Sequence, residues 1–83
     1  MSKVLILGGS GMLGHKMFQL LRARFPETYV TVRTAQSTDL LKSVGLYDEH
    51  RVIEGIDVLD PIARANLVEN IGPHVIVNCV GIV

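Results

Sequence analysis

The stretch Val4-Leu5-Ile6-Leu7-Gly8-Gly9-Ser10-Gly11-Met12-Leu13-Gly14 constrains the fold more than any other part of the chain. Its four consecutive apolar residues do not alternate with polar ones, as a strand with one wet face would. They suit a strand covered on both faces within a parallel sheet. Three glycines then fall within residues 8–11, and a fourth stands at Gly14. Each fixed glycine costs backbone entropy, so a cluster marks a turn from which side chains have to be absent. Beyond it, Leu13, Met17, Leu20 and Leu21 fall at steps of four, three and one. That spacing is one face of a helix, which ends near Phe25-Pro26 because proline cannot continue it.

The rest of the chain repeats this alternation. Tyr29-Val30-Thr31-Val32 is rich in β-formers and makes a second strand. Ser37 caps a short helix running to about Val44, with Gly45 as its stop. Val52-Ile53 is a weaker third strand. Asp60-Pro61 then gives a cap followed by proline at the first helical position, and Gly72-Pro73 closes that helix. Val75-Ile76-Val77 is a fourth strand, buried by its composition. The order βαβαβαβ predicts an α/β fold with a parallel sheet and right-handed crossovers. A doubly wound sheet of the Rossmann type normally continues past such a fourth strand. Residues 1–83 therefore read as the first four strands of a larger domain. Left uncovered, the fourth strand would be an apolar edge, so the isolated chain is expected to self-associate.

Composition removes several classes of function. Hydrophobic residues at 48% and charged residues at 19% describe a globular chain, and 83 residues make one small domain at most. A chain this short has little interior of its own. Its eight basic and eight acidic residues balance, whereas a nucleic-acid surface needs a basic excess. The single Cys79 cannot form an internal disulfide, which fits a reducing compartment. No apolar run reaches the roughly 18 residues of a membrane span. The amino terminus carries one lysine and a short apolar run, but glycines interrupt it and no small-residue cleavage site follows, so it is not read as a signal peptide. The expectation is a soluble, cytoplasmic chain without membrane or nucleic-acid partners. His15, His50 and His74 are scattered with no cysteine cluster nearby, so no metal site is visible.

The glycine turn has a chemical reading. Between a buried strand and a helix it lets backbone N–H groups approach a pyrophosphate, which then sits at the positive end of the helix. Gly8 makes the tight turn, Gly11 keeps a side chain out of the phosphate path, and Gly14 lets the helix pack on the strand.

The spacing Gly-Gly-x-Gly-x-x-Gly, with glycines at 8, 11 and 14, resembles that of the extended short-chain dehydrogenases/reductases. Leu7 stands where that family usually has threonine. Within it, "GGSGMLGHKM" and "VIVNCVGIV" look most like the sugar-nucleotide reductases of the dTDP-4-dehydrorhamnose reductase type. The resemblance covers the whole chain. It implies a nicotinamide dinucleotide cofactor held by Gly8, Gly11, Met12, Leu13 and Gly14. About 20 residues past the glycines, where a carboxylate would read the ribose of NAD, stands Arg33. Its guanidinium suits the 2′-phosphate of NADP, with Thr34 and Ser37 adding hydroxyls; NADP is favoured, NAD is the alternative, and a plainly solvated arginine is the other reading. Asp57-Val58 matches the pair that meets adenine, and Cys79, Val80 and Gly81 match small residues beside the cofactor. Cys79 alone reads as a small hydrophobe, not as a catalytic thiol.

The family works with Tyr-x-x-x-Lys. Here Tyr29 and Tyr47 are each followed four residues on by an arginine, Arg33 and Arg51, so no catalytic residue is assigned. The resemblance thus implies the cofactor platform of an oxidoreductase acting on a nucleotide-sugar keto group. A non-catalytic dinucleotide module or redox sensor is one alternative; an epimerase or dehydratase of the same extended family is another.

Overall fold

The computed structural model describes residues 2–8 and 12–79. Strands β1 (Val4–Leu7), β2 (Thr28–Thr31), β3 (Val52–Ile53) and β4 (Val75–Asn78) alternate with helices α1 (Met12–Arg24), α2 (Ala35–Ser43) and α3 (Pro61–Ile71). All neighbouring pairs are parallel, in the order β3-β2-β1-β4. This is the α/β, Rossmann-type arrangement expected from the alternation of elements.

The alternation of side chains along the strands divides the core in two. Val4, Ile6, Val30, Val32 and Val52 face Phe18 of α1 and Leu41 of α2. Leu5 and Leu7 face Leu67 of α3 and Val58 on the opposite side. Two helices on one face and one on the other explain why β1 is a continuous apolar run: all four of its residues are buried. Burying Phe18 alone contributes roughly 1.5–3 kcal/mol.

Three elements differ in detail from the sequence expectation. In α1 the face turned to the core carries Gly14, Met17, Phe18 and Leu21, with Phe25 just past the helix end. Met17 and Leu21 pack where the spacing put them, the Leu13 side chain lies outside the described residues, and Leu20 is 66% exposed. Leu20 lies about 200° around the helix from Phe18, so it stands on nearly the opposite side, in solvent. The cap of α2 is Thr34, three residues before Ser37: Thr34 has extended backbone, and its hydroxyl accepts from the Ser37 N–H at 3.2 Å. The strand β4 is not buried. Val75 and Ile76 are 48% and 47% exposed because only β1 flanks them, while Val77 packs on the core.

The third helix forms as expected. Asp60 accepts from the Ile62 and Ala63 amides, Pro61 follows, and Gly72 closes the helix at φ +62°, where an L side chain would be strained.

Candidate functional site at the carboxyl edge of the sheet

Four parallel strands bring their carboxyl ends, and the loops that follow them, to one edge. The strand order reverses between β1 and β4: β2 and β3 lie to one side of β1, whereas the chain returns through α3 to place β4 on the other. In open α/β sheets ligands bind in the crevice at that reversal.

Gly8 leaves β1 at φ +85°, a conformation that favours glycine. Its N–H donates to the Thr31 hydroxyl at 3.0 Å, fastening the start of the turn to the end of β2. Met12 and Leu13 open α1, and Gly14 in its first turn is buried. The first amides of such a helix have no intrahelical acceptor and point toward an anion. Gly11, together with Val80 and Gly81 after β4, lies outside the described residues. On the β4 side, the Cys79 N–H donates to the Leu7 carbonyl at 2.9 Å. Cys79 packs against the core that α1 covers, and burial pushes its thiol pKa up, which keeps it protonated near neutral pH.

The segment after β2 is held from two directions. The Val32 N–H donates to the Ile53 carbonyl and the Val32 carbonyl accepts from the Ile56 N–H, which ties this segment to β3 and the loop after it. Thr38 of α2 donates to the Glu54 carboxylate at 2.8 Å. Between these anchors Arg33 is exposed and makes no hydrogen bond or ion pair among the described residues. Of the other arginines, Arg24 at the end of α1 is likewise exposed and without a partner among the described residues, and three are committed. Arg22 donates to the Leu46 carbonyl, Arg64 to that of Val58, and Arg51 to that of Pro26 and to the Tyr29 hydroxyl.

Asp57 is exposed, and one of its oxygens accepts from the Leu59 N–H at 3.0 Å in a local turn. Val58 is 9% exposed and packs with Leu5, Leu7 and Leu67. Its side chain belongs to the core, which anchors the loop that presents Asp57. Of the two tyrosines, Tyr29 lies on the α3 face under the Arg51 guanidinium, 4.8 Å from the ring. Tyr47 sits near Lys42, 4.8 Å from its ring. Among the described residues no group of three His, Cys, Asp or Glu is placed to hold a metal ion, and no helix is long and apolar enough to cross a membrane.

The structure thus gathers Gly8, the start of α1, Arg33, Asp57 and Cys79 at one edge. The residue sequence reasoning missed is Thr31, read there only as a β-former. Its signal was a hydroxyl on a strand end next to the glycine turn. A family model described as the NAD dependent epimerase/dehydratase family matches residues 4–83. No curated protein and no solved structure matched the chain.

Proposed function

Because this chain belongs to the NAD dependent epimerase/dehydratase family, we propose that residues 1–83 are the amino-terminal, cofactor-holding portion of an NADP-dependent reductase. In this reading it acts on the keto group of a nucleotide sugar, as the dTDP-4-dehydrorhamnose reductases do. The observation that carries the proposal is left-handed Gly8 at the carboxyl end of β1, opening α1 beside the reversal of strand order.

The residues at this edge fit a dinucleotide. Gly8, Gly11 and the first amides of α1, from Met12, Leu13 and Gly14, form the pyrophosphate cradle. Arg33, free of protein partners among the described residues, meets the 2′-phosphate through its fork of donors. Asp57 keeps one oxygen for the adenine amine while the other holds its turn; buried Val58 anchors that loop. Cys79, Val80 and Gly81 border the nicotinamide side. A bound nicotinamide cofactor supplies hydride transfer, and the protein supplies binding and orientation. Neither Tyr29 nor Tyr47 begins a Tyr-x-x-x-Lys, so no residue of 1–83 is given the role of proton donor. The single Cys79, which has no internal disulfide partner, supports a cytoplasmic location.

The family match favours an epimerase or dehydratase as readily as a reductase, and each would use the same edge. Calorimetric titration with NADP⁺ and NAD⁺ tests the shared part. NADP⁺ is expected to bind the more tightly, and Gly11→Val to abolish binding while circular dichroism stays unchanged. Failure of both dinucleotides to bind overturns the reading. In the longer protein, net consumption of NADPH with a nucleotide-sugar ketone marks a reductase, and turnover without net consumption marks an epimerase or dehydratase.

A further inference from the structure

The backbone pairing of β1 with β2 runs from Val4 with Thr28 to Ile6 with Val30 and stops there. Two residues further on, the chain leaves the strand at half-buried Gly8, whose N–H would be left without a strand carbonyl. The Thr31 hydroxyl takes that place, accepting from Gly8 at 3.0 Å across 23 residues of sequence. Thr31 is 1% exposed. A valine there would fill the same volume and form strand equally well, and a buried hydroxyl is costly unless hydrogen-bonded. The fold alone therefore gives no reason for the oxygen; the turn does. The other buried threonines have different duties: Thr28 donates to the Phe25 carbonyl three residues away, and Thr38 to Glu54.

We propose that Thr31 is a positioning residue for the end of β1, holding the Gly8 amide so that the first amides of α1 are presented to the pyrophosphate of a dinucleotide. The inference rests on the dinucleotide reading given above. It adds that the Gly8 N–H is already used within the protein, so the phosphate oxygens are met by amides further along, at the start of α1. It also sets the pyrophosphate and the adenosine ribose of the cofactor against one strand terminus. Thr31 fixes the turn for the pyrophosphate, and Arg33, two residues later, stands at the ribose.

The full chain carrying Thr31→Val or Thr31→Ser decides the matter through two readouts, exchange of the Gly8 amide by NMR and NADP⁺ affinity by calorimetry. Thr31→Val is expected to speed Gly8 exchange by about tenfold and to weaken NADP⁺ by about fivefold to tenfold, the effect of one lost hydrogen bond. Thr31→Ser, which keeps the oxygen and loses the methyl, is expected to restore both. Unchanged exchange and affinity in Thr31→Val overturn the proposal. So does a loss of affinity of about fivefold to tenfold in Thr31→Ser relative to the unmodified protein, because packing would then explain it. Read against the unmodified protein, the serine arm remains decisive even if the valine variant does not fold. If the unmodified protein binds neither dinucleotide, the functional reading falls separately, and with it the aiming role of Thr31; the exchange data then report only whether the hydroxyl holds the turn.

Discussion

At Arg33 a cation is left without a partner among the described residues, while Arg22, Arg51 and Arg64 are each tied to backbone carbonyls. An exposed guanidinium spends little on the fold, so its removal should register in ligand choice and not in stability. Charge-assisted hydrogen bonds contribute about 1.5–3 kcal/mol each. Arg33→Ala is expected to weaken NADP⁺ about tenfold or more, to leave NAD⁺ nearly unchanged, and to keep the melting temperature of the parent. Equal loss for both dinucleotides would show that Arg33 serves the general field of the site and not the 2′-phosphate. The position of this arginine was legible because it depends on counting from the glycines to the end of the second strand. Thr31 was not, since its hydroxyl finds Gly8 only once β1 and β2 lie side by side. Val58 shows the same limit: its place beside Asp57 is local, whereas its packing on Leu5, Leu7 and Leu67 is set by the return of α3 across the sheet.

Elements were legible where their signals are local. The boundaries of α3 rest on Asp60, Pro61 and Gly72, residues whose capping chemistry acts within one turn. The inward face of α1 was harder to read, because Leu20 and Phe18 both suit an apolar stripe and only the neighbouring sheet selects between them. That choice has an energetic consequence. Phe18 is 1% exposed among Val4, Ile6, Val30 and Leu41, so Phe18→Ala is expected to cost about 3–5 kcal/mol, a large share of the stability of any small domain. Leu20 at 66% exposure touches little, and Leu20→Ala should stay within about 0.5 kcal/mol. Denaturant midpoints of the two variants separate these cases. Comparable losses at both positions would mean that α1 is rotated from the orientation described. The cap of α2 was displaced for a similar reason: Thr34 and Ser37 are both capping residues by type, and the extended backbone at Thr34 decides which one caps.

Over the whole molecule, the sheet has two unlike edges. β3 is only two residues long, too short to template another strand. β4 runs for four residues, Val75-Ile76-Val77-Asn78, carries no charge, and pairs with β1 along one side only. The apolar composition of β4 pointed to a covered strand, but composition cannot say whether a neighbour is present to cover it. With Val75 and Ile76 nearly half exposed, apolar surface faces outward at this edge. A further strand added there, from the same or another polypeptide, would cover it. The 83-residue chain by itself is accordingly expected to sediment as a dimer or larger species, with the monomer gaining as concentration falls. Ile76→Lys places a charge at the centre of the edge, a device that natural sheets use to block pairing, and should shift the population to monomer. Ile76 pairs with Leu5, two residues short of the strand ends at Leu7 and Asn78 where the proposed cofactor edge lies, so NADP⁺ affinity per chain should be retained in that variant. A chain that sediments as a monomer at every concentration, with or without the lysine, would show that β4 is not the surface through which copies meet.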